Sequence, residues 1–562
     1  MIPSVMKTTR RQFLAQSGMT ALLATAASPL LAEGGNSPLA DTKCGRIRGA
    51  WNGDIAVFKG VPYGADTAQH RFQPPVSPAV WTGVRDCLAW GDRAPQLSAP
   101  TSQRPASGEH VAKPQTGYHL PPDEGGISED CLHLNVWSSM NPGGKRPVLI
   151  YIHGGAYNSG TVNAALYDGT RLARRGDVVV VTVNHRLNAL GYLYLAGVTS
   201  NPIFADSGNA GQLDLILALR WVQENIASFG GDSSRVLIFG QSGGGAKCAT
   251  LMAMPAAQGL FHRVVTMSGQ QVDAMPQELA TDHARVFLDK LSIKPGGELR
   301  ELLTVPRNEL IAAGRTSSAW MPVKDGRSLL ADPFDPGAPT LSLNVPMILG
   351  NTHDETRGLI GTGHPELFAL TWEELPAALE SNIHRFLGPY TAEQVATKYR
   401  GFYPDYSPAD VFFAATTALR SWPGQVIEAE RRAQSVAKER TWVYQMNWKT
   451  PIDGGVWGAP HTLDLAFFFD NLELSPGMVG ASADDVKRAQ PLADTMSSML
   501  IAFAQTGNPN HHGFPKWPAY SLENRETMAW DTVTSLVKDP RRPERLLQAE
   551  THYRQPGTYA EK

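Results

Sequence analysis

Residues 229–244 read FGGDSSRVLIFGQSGG, and this stretch decides the fold. The apolar run 235–240 predicts a strand, and the small residues after Ser242 are typical of a helix. A serine in a G-x-S-x-G turn between a strand and a helix sits on a strained backbone that lifts its hydroxyl to the end of the sheet. Glycines suit this turn because they let strand and helix approach closely. The stretch therefore predicts that Ser242 is a nucleophile. A glycine-rich turn without chemistry is the alternative interpretation.

A second glycine-rich turn lies upstream. Residues 147–153 (PVLIYIH) predict a buried strand, which the sequence continues as GGAY. Backbone N–H groups in such a turn can point at one spot and hold a developing oxyanion. We therefore predict an oxyanion hole formed by Gly155, Ala156 and Gly243. A tight turn without a ligand is the alternative.

Apolar strands alternate with helical patterns along the rest of the chain. Further strands are predicted at residues 178–184, 345–350 and 441–448, and a helix over 213–226. Such alternation is typical of a parallel sheet covered by helices on both faces. No linker or internal repeat divides residues 38–550, so we predict an α/β fold with one domain.

Residues 1–34 are predicted to be a signal peptide. The segment TTRRQFL at 8–14 is a twin-arginine pattern, and a mostly apolar stretch follows over 19–31. That stretch is too short to span a bilayer comfortably, and cleavage after Ala26 or Ala32 fits the small-residue rule. We expect a periplasmic or secreted protein with its catalytic domain over residues 35–562. An amphipathic N-terminal helix packed on the body is the alternative.

Composition limits the classes of function. The 562 residues are 42% hydrophobic and carry a formal net charge of -3. A weakly acidic chain has no electrostatic basis for binding nucleic acid or an anionic membrane. No second apolar run is long enough for a stable membrane anchor. Nucleotide-binding motifs are missing, and the four cysteines lack zinc-site spacing, so we expect neither a cofactor nor a metal. The sequence carries no signal for an oligomeric state.

Together these motifs resemble the type-B carboxylesterase family, which includes bacterial p-nitrobenzyl esterases, cholinesterases and fungal lipases. Residues 229–244 match its serine signature, and 128–137 (SEDCLHLNVW) resemble its second signature, with His133 where Tyr is usual. Other stretches agree in order: 60–63 (GVPY), 71–75 (RFQPP), 184–191 (NHRLNALG), 207–221 (SGNAGQLDLILALRW), 503–510 (FAQTGNPN) and 517–520 (WPAY). The resemblance implies an α/β-hydrolase fold, with a large mostly parallel central sheet, helices on both faces and long loops over the active site.

The resemblance also implies the other members of a Ser-His-Glu triad. The family's acid is a glutamate shortly after a strand ending in Gly, which is Glu355 in GNTHDE here; Asp354 is the competing carboxylate. The family's base is a histidine in a Gly-rich segment, which is His461 in GAPHTLD. Ser242, Glu355 and His461 follow the chain order expected of this fold.

Three departures from the family pattern bear on function. Gln241 stands where Glu is common, which makes a choline ester a less suitable substrate. The family's disulfide to Cys131 is in doubt, because Ala94 occupies the upstream position; Cys87 lies seven residues earlier and leaves another pairing open. Residues 66–70 (DTAQH) replace the usual Pro-Pro-x-Gly, so the gorge entrance is expected to differ.

Residues beside the motifs are candidates for the substrate pocket: Tyr157, Gln241, Trp457 and Phe467. Core packing is the alternative for the phenylalanine. The long Pro-, Ser- and Gly-rich loop over residues 96–127 is expected to form part of the rim.

The leading interpretation is a serine hydrolase that cleaves a small-molecule carboxylic ester. Hydrolysis of amides, carbamates or lactones by the same triad is a second interpretation. A non-catalytic binding protein is the third. It is disfavoured because Ser242, Glu355 and His461 are all present, whereas relatives that bind without catalysis usually lack the serine.

Overall fold

The computed structural model of the protein describes residues 37–97, 117–140, 143–316, 320–551, 553–556 and 558. The predicted signal peptide lies outside the described residues, and so does the middle of the 96–127 loop. From Pro38 onward the chain forms one compact unit.

Fourteen strands, numbered in chain order, lie within these residues and form two sheets. They are β1 (Leu39–Thr42), β2 (Gly45–Arg48), β3 (Ala50–Asn52), β4 (Ile55–Pro62), β5 (Val84–Asp86), β6 (His133–Ser138), β7 (Arg146–Ile152), β8 (Val179–Val183), β9 (Gly231–Gln241), β10 (Arg263–Met267), β11 (Met347–Thr352), β12 (Thr441–Met446), β13 (Glu526–Trp530) and β14 (Ser535–Lys538). The small sheet has the order β1-β2-β5, and the large sheet has the order β14-β13-β12-β11-β10-β9-β7-β8-β6-β4-β3.

The middle of the large sheet is parallel. Neighbouring strands from β13 to β8 all run in the same direction, and antiparallel strands flank them on both sides. The prediction of a large, mostly parallel central sheet is therefore confirmed. The sequence prediction missed β10, because its apolar signal is only a few residues long and follows His262 and Arg263.

Fourteen α-helices are found in the same part of the chain. They are α1 (Thr170–Gly176), α2 (Asn188–Tyr192), α3 (Ala210–Asn225), α4 (Gly243–Leu251), α5 (Gln277–Lys290), α6 (Arg307–Ala313), α7 (Leu375–Ile383), α8 (Ala392–Phe402), α9 (Pro408–Thr416), α10 (Pro423–Ala433), α11 (Asp464–Phe468), α12 (Pro476–Val479), α13 (Ala483–Thr506) and α14 (Arg542–Ala549). Short π-helical turns lie at Arg357–Gly361 and Thr417–Ser421.

The core lies on both faces of the large sheet. Side chains of a strand alternate between faces, and β7 shows the result. Val148 and Ile150 pack in one apolar cluster with residues of α3 and α4, whereas Leu149 and Tyr151 pack in another with residues of α13. Because both faces are covered, all seven residues of β7 are buried. This explains why the sequence of β7 is a continuous apolar run rather than an alternating one.

The parallel strands also place the site. Loops that follow β7, β9, β10, β11 and β12 all leave the same edge of the sheet, because these strands run in one direction. The predicted oxyanion turn, serine, glutamate and histidine lie in or shortly after these loops.

Candidate active site

Ser242 lies on a sharp turn between β9 and α4. Its backbone has φ 57° and ψ -128°, a strained conformation for a residue with a side chain. The turn is held by a hydrogen bond of 2.7 Å from the Ser242 N–H to the carbonyl of Met267. A Cβ added to Gly244 would lie 2.0 Å from the oxygen of Ile152, so glycine is required there. The predicted strand–turn–helix geometry around Ser242 is present.

Glu355 is buried behind His461, and hydrogen bonds occupy both of its carboxylate oxygens. Oε2 contacts Nδ1 of His461. Oε1 accepts hydrogen bonds from Ser268 Oγ at 2.5 Å, from the Thr352 N–H at 2.8 Å and from Asn351 Nδ2 at 3.1 Å.

The electrostatics favour an ionised Glu355. Burial raises its pKa, but attraction to His461 and the hydrogen bonds that it accepts outweigh burial and hold the pKa below its ordinary value. An ionised carboxylate on Nδ1 fixes the histidine tautomer with Nε2 free to accept a proton.

Asp354, the competing carboxylate, makes different contacts. Its Oδ2 accepts a hydrogen bond of 2.9 Å from the Ala459 N–H, and its own N–H donates to the Ala459 carbonyl at 2.9 Å. His353 and Arg357 lie beside Oδ1, at 3.1 and 3.7 Å. Asp354 therefore ties the loop that carries His461 to the end of β11, while Glu355 contacts the imidazole.

The side chain of Gln241 lies against the ring of His461. Its side-chain Nε2 lies 3.1 Å from His461 Nε2. Within the described residues, Ser242 and His461 share no hydrogen bond. Catalytic hydrogen bonds are often long or absent before substrate binds. The same amide nitrogen of Gln241 lies 3.5 Å from His461 Nδ1, so it sits over the imidazole ring and not in line with the Nε2 lone pair that would receive the Ser242 proton.

The turn after β7 contains two neighbouring residues with positive φ angles. Gly155 has φ 82° and Ala156 has φ 50°. A Cβ on Gly243 would lie 2.2 Å from the Ala156 oxygen, so the start of α4 touches this turn. Among the residues described, none of the N–H groups of Gly155, Ala156 and Gly243 donates a hydrogen bond. These three donors are available to an anion next to the serine.

The predicted pocket residues fall into different places. Tyr157 is buried, and its hydroxyl donates to Gln271 Oε1 at 2.7 Å. Trp457 is nearly buried and packs against Phe368, with 4.9 Å between ring centroids. Phe467 is 0% exposed and packs on Trp448 in the core. The structure thus corrects the placement of Phe467, because a side chain enclosed by the core cannot line a pocket.

Both described ends of the 96–127 loop contact the site. Gln96 accepts a hydrogen bond of 2.8 Å from the Gly160 N–H and donates one to the Gly160 carbonyl, just after the oxyanion turn. The Tyr118 hydroxyl donates to the His461 carbonyl at 2.9 Å and lies 3.0 Å from Thr462 Oγ1. The described segments of this loop therefore form hydrogen bonds to two parts of the site.

Sequence reasoning missed Ser268 and Tyr118. Ser268 follows β10, the strand that was not predicted, and its hydroxyl reaches Glu355. Tyr118 lies in a loop whose composition carries no structural signal. Recognising 263–267 as a strand would have placed Ser268 at the same sheet edge as Ser242.

All four cysteines are free thiols, so the Cys87–Cys131 pairing left open by the sequence is not formed. In the described part of the chain, no cluster of three or more His, Cys, Asp or Glu side chains could hold a metal ion. No described helix is long and apolar enough to cross a membrane.

The parallel sheet, the serine on its strained turn and the Glu355–His461 pair together define an α/β-hydrolase. The family model described as the carboxylesterase family matches residues 36–548. The chain belongs to this carboxylesterase family and is a carboxylesterase enzyme.

Individual relatives agree with this assignment. The chain is 35% identical over 514 residues to a para-nitrobenzyl esterase of Bacillus subtilis (strain 168), covering 89% of this chain and 96% of the relative. It is 29% identical over 526 residues to a phenmedipham hydrolase of Pseudarthrobacter oxydans, covering 91% and 98%. The crystal structure of a Geobacillus stearothermophilus carboxylesterase superposes with a TM-score of 0.75 at 32% identity, covering 91% of this chain and 99% of that one.

Proposed function

We propose that the protein hydrolyses carboxylic esters of small molecules through an acyl-enzyme on Ser242. The observation that carries this proposal is the contact of the ionised Glu355 with His461, directly beside the serine turn and three unused backbone N–H groups.

The first half of the reaction forms the acyl-enzyme. When an ester binds, the Ser242 hydroxyl donates a hydrogen bond to His461 Nε2. His461 accepts the serine proton as Oγ attacks the ester carbonyl, and Glu355 stabilises the imidazolium that results. The N–H groups of Gly155, Ala156 and Gly243 bind the oxyanion of the tetrahedral intermediate. His461 then gives its proton to the departing alkoxide, and the alcohol leaves.

The second half regenerates the enzyme. His461 takes a proton from water, and the hydroxide attacks the acyl carbon. The same backbone donors bind the second oxyanion. Collapse of that intermediate returns the proton to Ser242 and releases the carboxylic acid.

Hydrolysis of p-nitrophenyl esters of graded acyl length tests this proposal. We expect turnover by the wild-type protein and a loss of several orders of magnitude in kcat for Ser242→Ala, because without the nucleophile only binding and the oxyanion hole remain. Ser234→Ala is the matched control, since Ser234 lies exposed at the other end of the same strand. Wild-type activity in Ser242→Ala would disprove the nucleophile. Faster cleavage of the matched p-nitroanilide than of the ester would instead favour an amide hydrolase.

We also propose that the enzyme is exported in bacteria, on the basis of the twin-arginine pattern at 8–14 and the apolar stretch at 19–31. Replacing Arg10 and Arg11 together with Lys should retain the full-length chain in the cytoplasm. N-terminal sequencing of the exported protein is expected to start at residue 27 or 33. An exported chain that still begins at Met1 would contradict this proposal.

A further inference from the structure

We propose that Lys247 is a positioning residue of the oxyanion hole. Its Nζ holds the 153–156 turn by hydrogen bonds to two carbonyls and places a positive charge behind that turn. This inference rests on the proposed serine mechanism and deepens it, by assigning a role to a buried side chain that the mechanism itself does not use.

The contacts of Lys247 all lead to the oxyanion turn. The side chain is 0% exposed and leaves α4 five residues after Ser242. Nζ donates to the Ala156 carbonyl at 2.8 Å and to the His153 carbonyl at 3.1 Å. Nζ also lies 5.4 Å from the ring centroid of Tyr157. No carboxylate pairs with Lys247 in the described part of the chain. Burial of an unpaired cation is costly, so its position calls for a functional explanation.

Planar peptide units explain how these contacts orient the hole. In a trans peptide the C=O of one residue and the N–H of the next point in opposite directions. Lys247 holds the carbonyls of His153 and Ala156, which belong to the first and last peptide units of the turn. The two units between them carry the Gly155 and Ala156 N–H groups.

Other groups hold the carbonyls of the two middle units. Nδ1 of His153 donates to the Gly154 carbonyl at 2.9 Å. The N–H groups of Asn158 and Ser159 donate to the Gly155 carbonyl at 3.2 and 3.1 Å. With Lys247, each of the four carbonyls from His153 to Ala156 accepts a hydrogen bond, and this fixes the orientation of the N–H group in the same peptide unit.

The charge of Lys247 adds a second contribution. Burial lowers the pKa of Lys247 to about 7, with a small opposing effect from Cys248. The other titratable groups that face it are Tyr157 and the neighbouring rings of His153 and His185, whose centroids are 4.4 Å apart and whose planes are inclined by 35°. Burial and then the charge of Lys247 hold the pKa of both histidines well below the ordinary value. Lys247 is therefore the cation of this cluster.

The charge of Lys247 determines how stabilisation of the anionic intermediate depends on pH. Below about pH 7 the ammonium form of Lys247 places a charge behind the oxyanion. Above that pH the neutral amine still has two N–H groups for the two carbonyls, but the charge is lost. Stabilisation of the anionic intermediate should therefore weaken as pH rises through this range.

The test compares Lys247→Met with a matched variant, Arg432→Met. Arg432 is also buried and donates to a backbone carbonyl, that of Val345, but it lies by the start of β12 at the opposite edge of the sheet. The readouts are kcat, KM, and the affinities of a trifluoromethyl ketone, which adds Ser242 to form an oxyanion, and of the matching methyl ketone, which does so poorly.

For Lys247→Met we expect kcat to fall about 100-fold, as when one oxyanion donor is removed, with KM within about threefold of wild type. The affinity for the trifluoromethyl ketone should fall in parallel and that for the methyl ketone should not. Arg432→Met should lower thermal stability and leave the ratio of the two affinities unchanged. The wild-type kcat should decline above about pH 7, and this decline should be absent in Lys247→Met.

Wild-type kcat and ketone affinities in a folded Lys247→Met would overturn the proposal, as would an equal change of the affinity ratio in Arg432→Met. If Lys247→Met does not fold, the wild-type profile decides, because a kcat that stays constant from pH 7 to 9 (about two units above the expected midpoint) contradicts the charge assignment. Failure of the serine mechanism is distinguishable, because it would show as activity in Ser242→Ala.

Discussion

Four of the loops that build the site each contain a non-glycine residue with a positive φ angle. Positive φ angles occur at Ser242 (57°), Ala156 (50°), Ser268 (49°) and Thr462 (77°), none of which is glycine. Each lies in or next to one of the loops that build the site. Such conformations persist only where the surroundings hold them, and here hydrogen bonds and close glycine contacts do so. The strained backbone lies in the turns that carry Ser242, the predicted oxyanion donors and the serine that contacts Glu355.

At this scale the two neighbouring carboxylates should behave differently. We expect Glu355→Gln to lower kcat by about 10⁴-fold, since an amide on Nδ1 no longer stabilises the imidazolium or enforces the tautomer. Asp354→Asn should lower kcat by less than about tenfold, because Asp354 holds the Ala459 backbone and does not contact the imidazole of His461. Steady-state kinetics on one ester measures both. The reverse order of effects would make Asp354 the acid.

The parallel strands bring together loops that are far apart in the chain. Described segments of the 96–127 loop then form hydrogen bonds to two of these loops. Strands β7, β9, β10, β11 and β12 end at one edge, so residues far apart in the chain become neighbours. The described ends of the 96–127 loop attach to the oxyanion side at Gly160 and to the histidine side at His461. The described parts of this loop, on either side of residues 98–116, thus each attach to one half of the site.

Removing the hydrogen bond from Tyr118 to the His461 carbonyl should affect catalysis more than folding. In Tyr118→Phe the His461 carbonyl loses one of its two hydrogen-bond donors and keeps Thr462 Oγ1, so we expect about 1 kcal/mol of lost stability and a kcat lower by about three- to tenfold. Tyr194→Phe removes a tyrosine hydrogen bond to Gln277 elsewhere and serves as the control. Thermal denaturation and kcat are measured for both. Equal kcat in the two variants would show that the Tyr118 hydrogen bond does not position His461.

The whole molecule is stabilised by packing and buried ion pairs rather than by covalent cross-links. Two apolar clusters cover the two faces of the large sheet. Arg186 and Asp214 form a fully buried pair beside the sheet, with three hydrogen bonds from the guanidinium to the carboxylate. Cys87, Cys131 and Cys248 are buried as thiols, and Cys44 is half-buried.

A thiol count tests this description of the whole molecule. Protein purified without reductant and then denatured should react with four equivalents of a thiol reagent, as all four cysteines are free. Reductant should leave the midpoint of thermal unfolding unchanged, because no cross-link constrains the unfolded chain. A reduced and denatured sample is the control. A count of two without reductant would show that one disulfide forms.

The sequence by itself determined the features whose signals are local. The continuous apolar runs of β7, β8 and β9 predicted buried parallel strands, because side chains on both faces of such strands are covered. The glycines around Ser242 and in the oxyanion turn predicted two tight turns, because close backbone approach excludes a Cβ. Resemblance to a known family added Glu355 and His461, which no local pattern connects.

Only the tertiary structure decided which side chains meet. Glu355 and His461 are 106 residues apart, and their contact arises because β11 and the loop after β12 end at one sheet edge. The same holds for Ser268 on Glu355, Gln241 on His461 and Lys247 behind the oxyanion turn. The sequence did not reveal the core position of Phe467 either. An aromatic residue beside a motif has the same sequence signal whether it faces a pocket or the interior. These contacts depend on the packing of the whole chain, and the spacing of residues along a segment does not encode them.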